Sequence, residues 1–205
     1  MANFHQTREV ITYAQKYISG KTLDLGAGSG KYREIIKQKA SEYIAFDMMP
    51  GENVDVVGDA LNLPFPERSF NTVVSTQVLE HVERPWLMIK EIHRVLKENG
   101  ICILTAPFLI PYHADPHDYF RYTKEGMASL FKNEGFEIIE CDHYGKIFTT
   151  LSEMTRFALF TYKKRRGGWA RRFRRYLSKL AKFLDKFVKT DVVYANVYII
   201  AKKQS

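Results

Sequence analysis

Residues 111–126, PYHADPHDYFRYTKEG, hold a high density of side chains that could do chemistry. Histidine can bind a metal or move a proton near neutral pH, and arginine can bind an anionic group. His113 and His117 are four residues apart, a spacing that places two side chains on one face of a helix. Pro116 disfavours a helix through both positions, which argues against a helical metal site. Four uses therefore stay open for the segment: a metal, a proton, a substrate or a folded loop.

A second candidate for proton chemistry lies in residues 75–85, STQVLEHVERP. Glu80 and His81 are adjacent there, and an imidazole has an intrinsic pKa suited to a general base. The competing interpretation is structural, with both side chains bracing or capping the helix that begins near Pro85. The sequence alone leaves both interpretations open.

A glycine-rich turn lies in residues 23–32, LDLGAGSGKY, where a strand ends and a helix begins. Glycines let the backbone turn tightly and approach a ligand closely, and the following helix offers unpaired N–H groups to a polar or anionic group. The glycine spacing is G-x-G-x-G, because Lys31 stands where a dinucleotide fingerprint would have its third glycine. A nucleotide-sugar or NAD enzyme is therefore disfavoured.

Three aspartates lie at the ends of successive predicted strands, namely Asp24, Asp47 and Asp59. The carboxyl ends of parallel strands meet at one edge of an open α/β sheet, and such sheets bind ligands at that edge. Asp47 could accept hydrogen bonds from a ribose diol. The three carboxylates and the glycine turn therefore predict one ligand site.

Alternating strands and helices have to position these groups. Short apolar runs rich in β-branched residues predict seven strands, at residues 21–27, 43–49, 54–60, 70–77, 100–108, 136–144 and 192–203. Helical patterns lie at 4–18, 31–40, 85–97 and 124–133, the last with Thr123 as its cap and Gly135 as its stop. The alternation predicts an α/β fold with a mostly parallel sheet, in a single domain over residues 1–205.

The net charge of +8 belongs to one segment. Residues 163–189 contain twelve Lys or Arg and a single acid, Asp185, whereas the remainder has 19 basic and 22 acidic residues. The two cysteines are too few for a disulfide framework and predict free thiols in a reducing compartment. The chain shows neither a signal-like start nor an apolar run of bilayer length, which predicts a cytoplasmic location.

The basic segment is part of a predicted helical insertion at residues 146–190. Apolar residues recur in it at helical spacing, at Trp169, Phe173, Leu177, Leu180, Leu184 and Phe187. Three interpretations compete: a helix that covers the sheet, peripheral contact of residues 163–189 with the anionic inner membrane surface, or nucleic-acid binding. Nucleic acid is less favoured, because the aromatic residues are not interleaved with the charges.

Five segments in order along residues 20–145 resemble class I S-adenosylmethionine-dependent methyltransferases, the type 11 subgroup in particular. These segments are LDLGAGSG, AFD, GDALNLPFPERSFNTVVSTQVLEHV, EIHRVLKENGICIL and HDYFRYTKEGM. The resemblance implies a Rossmann-like three-layer sandwich whose seven-stranded sheet has six parallel strands and an antiparallel last strand. It also implies S-adenosyl-L-methionine as the cofactor, and a reaction that does not generally need a metal.

The same resemblance implies a set of cofactor-binding residues. It assigns the methionyl part to the glycine turn, the ribose to Asp47, and adenine to Met48 and to the segment beginning at Asp59. The implied residues are Asp24, Gly26, Gly28, Gly30, Asp47, Met48, Asp59, Ala60, Leu61, Ser75 and Gln77. Core packing is the competing interpretation for the methionine, because this side chain fits almost anywhere.

The resemblance implies that residues 111–126 form a wall or lid on the acceptor side of the site. His81, His113 and His117 are the candidates to orient or deprotonate an acceptor, and the substrate candidates are Tyr119, Arg121 and Tyr122. The alternative is a folded loop in which Asp118, Arg121 and Tyr122 pair only with one another and cap the next helix.

These features predict methyl transfer from S-adenosylmethionine to a small-molecule, glycan or lipid-type acceptor, at oxygen. The alternative is a non-catalytic module of the same fold that binds membrane or RNA through the basic helix. The sequence does not indicate an oligomeric state.

Overall fold

The computed structural model describes residues 4–160, 168–188 and 192–204, in which seven strands form one sheet. The strands are β1 (Lys21–Leu25), β2 (Glu42–Asp47), β3 (Val56–Val57), β4 (Phe70–Thr76), β5 (Leu96–Pro107), β6 (Phe136–Tyr144) and β7 (Asn196–Lys203). Their order across the sheet is β3-β2-β1-β4-β5-β7-β6. Strand β7 is antiparallel to both β5 and β6, and the pairs among β1 to β5 are parallel. The prediction of six parallel strands with an antiparallel last strand is confirmed.

The described helices are α1 (Thr7–Ala14), α2 (Arg33–Lys37), α3 (Pro85–Val95), α4 (Lys124–Asn133), α5 (Ile147–Phe160) and α6 (Gly168–Leu184). Helix α4 has the predicted bounds: Thr123 Oγ1 accepts the Gly126 N–H at 3.0 Å, and Gly135 follows with φ +81°. Helices α1 and α2 are shorter than predicted, and short 3₁₀ turns lie at Gln15–Tyr17 and Leu79–His81. The third strand is also shorter than predicted, with only two residues in the ladder at the sheet edge.

Two apolar layers sandwich the sheet, because side chains alternate between its faces along each strand. On one face, Val73 and Leu104 pack with residues of α3 and α4. On the other, Val74 and Ile103 pack with residues of α1 and α2. This arrangement is the expected three-layer sandwich, and it leaves the carboxyl ends of the parallel strands free to form a site.

The insertion between β6 and β7 contains α5 and α6, which contact each other. A buried acid ties the end of α6 to the start of α5: the Asp185 carboxylate accepts the N–H groups of Phe148 and Thr149 at 2.8 and 3.1 Å. A salt bridge from Lys182 to Glu9 at 3.0 Å then connects α6 to α1. The insertion is therefore fixed against the body of the domain.

The apolar residues of α6 form two stripes, where the sequence analysis predicted one. Leu177, Ala181 and Leu184 are shielded from solvent, whereas a second stripe lies on the exposed side of the helix. This exposed aromatic stripe consists of Phe173, Tyr176, Leu180, Phe183 and Phe187. The predicted stripe is thus divided, since Phe173, Leu180 and Phe187 lie on the exposed side and Leu177 and Leu184 on the shielded side, and the side chain of Trp169 lies outside the described residues. None of the described helices has the length and apolarity needed to cross a bilayer.

Candidate active site

The turn after β1 has a backbone that favours glycine. Gly26, Gly28 and Gly30 have φ values of +82°, +50° and +71°, in the left-handed region where other residues are strained. At Gly26 a Cβ atom would also lie 2.1 Å from Cγ2 of Val78, so this position has no room for a side chain. The glycine spacing of the sequence thus reflects both conformation and close packing.

The Asp47 carboxylate, at the end of β2, is hydrogen-bonded to the backbone of this turn. Asp47 Oδ2 accepts the Gly28 N–H at 2.8 Å, and Asp47 Oδ1 accepts the Met49 N–H at 3.0 Å. Asp59 Oδ1 similarly accepts the Leu61 N–H at 2.8 Å. Both carboxylates are oriented by backbone groups and retain unused lone pairs for a ligand.

Two of the implied cofactor residues support the site from below. Asp24 is buried, and its Oδ2 accepts the Tyr43 hydroxyl at 2.6 Å. Burial raises the pKa of Asp24 to about 6, although the tyrosine hydrogen bond opposes this change. The buried Ser75 hydroxyl donates to the Leu25 carbonyl at 2.9 Å, which ties β4 to β1. Neither side chain is in the lining of the two cavities of about 430 and 360 Å³ near this edge of the sheet, so both support the site through hydrogen bonds.

A cavity of about 430 Å³ lies over this edge of the sheet. We call it the glycine-loop cavity, and its lining includes Gly26, Gly28, Asp47, Met48, Asp59, Ala60, Leu61, Gln77, His81 and Tyr119. The methionine is 58% exposed, so its interpretation as a core residue is wrong. The structure therefore brings eight of the eleven implied cofactor residues to one cavity, while Asp24, Gly30 and Ser75 lie outside its lining.

The segment after β5 is a loop held by its own arginine. The Arg121 guanidinium donates to both Asp118 carboxylate oxygens, at 2.5 and 2.6 Å, and to the carbonyls of Ile110, Pro111 and Phe120. The guanidinium lowers the pKa of Asp118 to about 2. All five N–H donors of the arginine are thus used within the loop. The interpretation of Arg121 as a substrate ligand is corrected accordingly: its charge is neutralised and its donors are occupied.

The other aromatic and imidazole groups of this loop separate into different roles. The buried Tyr122 hydroxyl donates to the Leu79 carbonyl at 3.1 Å, so this tyrosine anchors the loop and does not face a cavity. Tyr119 is the one predicted substrate residue of the three that lines a cavity. The ring of His117 lines neither of the cavities described here, and its carbonyl instead accepts from His81 Nδ1 at 2.5 Å.

A buried carboxylate lies between the remaining two histidines. Glu80 Oε1 is 3.7 Å from Nε2 of His81 and 3.8 Å from Nε2 of His113. Its proximity raises the pKa of His113 against the opposing effect of desolvation. The two imidazole rings are edge to face, with centroids 5.2 Å apart. Residues from the 3₁₀ turn after β4 and from the loop after β5 therefore meet at one point.

A second cavity, of about 360 Å³, lies beside the first on the side of the helical insertion. We call it the α5 cavity, and its lining includes Thr7, Arg8, Lys31, Gln77, His113, Tyr144, Glu153, Arg156 and Phe157. Gln77 lines both cavities and has φ +57°, while its amide Nε2 donates to Thr105 Oγ1 and to the Tyr144 hydroxyl. Strained backbone of this kind is concentrated at functional sites.

Most residues of the α5 cavity were missed by the sequence analysis. They come from α1, the turn before α2, β6, α5 and the start of β7, segments that are far apart in the chain and carry no common motif. Gln77 was singled out only as a cofactor contact, and the two-cavity arrangement has no local signal.

Residues 23–104 match the family described as a methyltransferase domain. A methyltransferase of Mycobacterium tuberculosis described as uncharacterised is 27% identical over 108 residues, which covers 47% of this chain and 42% of that relative. The chain thus spans about two fifths of that curated relative.

Solved structures share the fold over nearly the whole chain. The [4+2]-cyclase SpnF has a TM-score of 0.65 at 18% identity and covers 96% of this chain and 79% of its own. A second similar structure is that of phosphoethanolamine N-methyltransferase 2 of Haemonchus contortus, solved in complex with S-adenosyl-L-methionine. Its TM-score is 0.64 at 16% identity, and the match covers 100% of this chain and 54% of that chain. Residues 23–104 thus match the family described as a methyltransferase domain, and the chain shares its fold with these solved structures.

Proposed function

We propose that the protein transfers a methyl group from S-adenosylmethionine to a polar small-molecule, glycan or lipid-type acceptor, at an oxygen atom. The observation that supports this best is the meeting of two cavities at Gln77, one lined by the implied cofactor residues and the other by charged groups. Transfer between two ligands needs such a junction, because the enzyme has to hold both reacting groups in line and exclude water.

The residues of the glycine-loop cavity fit the cofactor. Its volume lies in the range of roughly 300–1,000 Å³ that is typical of ligand pockets. Asp47 would bind the ribose hydroxyls, Met48 would lie against adenine, and Asp59 with the backbone of Ala60 and Leu61 would bind the adenine edge. S-adenosylmethionine supplies a methyl group on a positively charged sulfur.

The α5 cavity supports an acceptor with negative charge. Its lining contains Arg8, Lys31 and Arg156 as cations, against the single acid Glu153, which is already paired with Arg156 at 2.5 Å. His113 lines this cavity next to His81, so the two imidazoles are placed to orient the acceptor oxygen. A sugar or lipid headgroup that carries phosphate or carboxylate has suitable chemistry.

Calorimetry with S-adenosylmethionine tests the cofactor assignment. We expect saturable one-to-one binding that Asp47→Asn weakens by about 10-fold or more, since a charged acceptor of hydrogen bonds is lost. Glu52→Gln is the matched control, because this exposed acid lies outside both cavities. Absence of binding at millimolar cofactor would exclude the enzyme and favour the non-catalytic module.

Label transfer tests the acceptor side. The chain is incubated with methyl-tritiated S-adenosylmethionine and a small-molecule and lipid extract, and transferred label is separated by anion exchange. We expect labelled anionic product, and we expect His113→Ala to lower its rate by about 100-fold at unchanged cofactor affinity. His93→Gln is the control, because that ring packs against Phe136 away from both cavities. Normal turnover in His113→Ala, or a loss of cofactor affinity that accounts for the slower turnover, would refute the assignment.

We also propose that α6 contacts an anionic membrane surface through the exposed aromatic stripe. Tyr176, Phe183 and Phe187 are 54–71% exposed, and the basic Arg172, Arg175, Lys179 and Lys186 are exposed on the same helix or just after it. Aromatic side chains flanked by Lys and Arg suit the interface of an anionic bilayer. The single acid of this segment is buried in the cap of α5, so it does not reduce the positive charge of the exposed surface.

Co-sedimentation with vesicles tests this contact. We expect binding to vesicles of phosphatidylcholine with phosphatidylglycerol, little binding to phosphatidylcholine alone, and loss of binding in Phe183→Ser with Phe187→Ser. Trp86→Ser is the control, because this exposed aromatic lies on α3. Equal binding to both vesicle types would overturn the membrane assignment. So would a dimer in sedimentation velocity that becomes a monomer in the Phe183→Ser, Phe187→Ser variant.

A further inference from the structure

The Glu80 carboxylate is buried without a hydrogen-bond partner. Its side chain is 0% exposed, and neither Oε1 nor Oε2 has a partner within hydrogen-bond distance. A buried, unpaired carboxylate costs several kcal/mol, and such groups are normally paired or bound to a metal. The backbone around it is well ordered by hydrogen bonds, since the Glu80 carbonyl accepts the Tyr119 N–H at 2.8 Å. Within the part of the chain that the structure describes, no group therefore forms a hydrogen bond with this carboxylate.

The two nearest histidines direct their Nε2 atoms towards this carboxylate. Nδ1 of His81 lies 2.5 Å from the His117 carbonyl, and Nδ1 of His113 lies 2.8 Å from the Pro111 carbonyl. A carbonyl oxygen only accepts, so each Nδ1 carries a proton, and the neutral form of each ring has its lone pair on Nε2. Ligating histidines in metal sites commonly have this arrangement, in which a backbone carbonyl fixes the tautomer and the ring orientation.

The distances between these ligand atoms suit a shared metal ion better than hydrogen bonds. The Nε2 atoms of His81 and His113 are 3.7 and 3.8 Å from Glu80 Oε1, too far for a hydrogen bond. Ligands about 2.1 Å from a tetrahedral ion lie roughly 3.4 Å from one another. One ligand atom from each of the three residues lies within 4.8 Å of the others. A small shift of the side chains would thus complete three bonds to one ion.

We propose that Glu80, His81 and His113 bind a divalent transition-metal ion of the Zn²⁺ class. Two imidazoles and one carboxylate suit zinc and its first-row neighbours, whereas Mg²⁺ and Ca²⁺ prefer oxygen ligands throughout. Three protein ligands leave a coordination position for water or an acceptor oxygen. His81 lines the glycine-loop cavity and His113 lines the α5 cavity, so the ion would lie where the two cavities approach each other. This inference departs from the expectation of a metal-free site, and metal binding itself does not depend on methyl transfer.

Cobalt(II) titration of the tag-free chain after treatment with a chelator tests the proposal. We expect a one-to-one complex whose visible absorption is that of a four- or five-coordinate site, and displacement of Co²⁺ by one equivalent of Zn²⁺. His113→Ala and Glu80→Gln should each weaken binding by about 100-fold, because loss of an outer hydrogen-bond partner alone typically costs 10–100-fold. His93→Gln should bind as the unaltered chain does, because its ring is on α3 against Phe136.

The unaltered chain keeps the test decisive even where a variant fails to fold. Near-ultraviolet circular dichroism checks the fold of each variant, and Zn²⁺ should raise the unfolding temperature of the unaltered chain. No stoichiometric Co²⁺ or Zn²⁺ complex with the unaltered chain would overturn the proposal. Binding that persists unchanged in folded His113→Ala and Glu80→Gln would also overturn it. Either result leaves the calorimetric test with S-adenosylmethionine unaffected, so the two proposals fail separately.

Discussion

The glycine-loop cavity and the α5 cavity share one edge of the sheet but are built in different ways. Much of the first lies in residues 25–61, where turns at successive strand ends present backbone groups and carboxylates. The second combines side chains from residue 5 to residue 196, and most of them lie outside the local motifs found in the sequence. A ligand common to a whole family can be held by backbone geometry, whereas an acceptor that varies is held by side chains from distant elements.

The strongest test of this comparison is Gly26→Ala. The positive φ costs about 1–2 kcal/mol, and contact of the new methyl group with Val78 adds about 1–3 kcal/mol. We expect a loss of about 2–5 kcal/mol in the free energy of unfolding, measured in urea, and a loss of S-adenosylmethionine affinity above about 100-fold in calorimetry. Gly51→Ala is the control, because its new atom would meet Val54 at an ordinary 3.6 Å. Normal affinity in Gly26→Ala would mean that backbone geometry does not define this cavity.

A pH-dependent test applies to the support under the glycine turn. The pKa of Asp24 is raised from 3.8 to about 6, so the folded state holds the proton more tightly than the unfolded chain. Stability should therefore fall as pH rises between about 4 and 6, by about 3 kcal/mol in total. Asp24→Asn should remove this fall, so the variant should match the unaltered chain near pH 4 and exceed it in stability by about 3 kcal/mol at pH 7.

Urea unfolding across that pH range measures the effect, with the exposed Glu52→Gln as the control. A constant difference between Asp24→Asn and the unaltered chain at every pH would contradict the assignment.

The smallest expected effect is that of Arg121→Lys, which acts on the acceptor side. An ammonium has three donors and no planar fork, so it cannot replace five hydrogen bonds to Asp118 and three carbonyls. We expect a loss of about 1–2 kcal/mol in stability and faster hydrogen exchange at the His113 amide, which donates to Asp118 Oδ2. Cofactor affinity should stay unchanged.

Arg84→Lys is the matched control, because Arg84 is exposed. Weaker cofactor binding in Arg121→Lys, with the His113 amide still protected, would show that the two cavities are not built independently.

The sequence predicted the glycine-loop cavity well, because each of its parts is local. A glycine at positive φ, an aspartate at a strand end and an alternating apolar run are each determined within a few residues. The antiparallel direction of the last strand was predicted only through the family resemblance, and it is confirmed. The two-residue length of β3 could not be predicted, since it depends on how far the edge strand stays paired.

The acceptor side could not be predicted to the same degree. The sequence shows that Arg121 is near Asp118, but not that its remaining donors reach three carbonyls of the same loop. The buried stripe of α6 likewise depends on which helix packs against it, and this contact with α5 joins segments that share no pattern. The sequence shows that Glu80 is next to His81. The distance from Glu80 to His113, however, depends on the path of the loop after β5.

The ends of the helical insertion have a practical consequence for building hybrid proteins. In the ladder Tyr144 is paired with Asn196, and the Ala195 N–H donates to the carbonyls of Tyr144 and Gly145. The chain thus leaves the sheet and returns to it at the same pair of neighbouring residues. A tight hairpin turn at this point would keep the register of both strands. The segment between them can therefore be exchanged as a cassette between relatives of this fold, and the α5 part of the α5 cavity lining is exchanged with it while the strands remain paired as before.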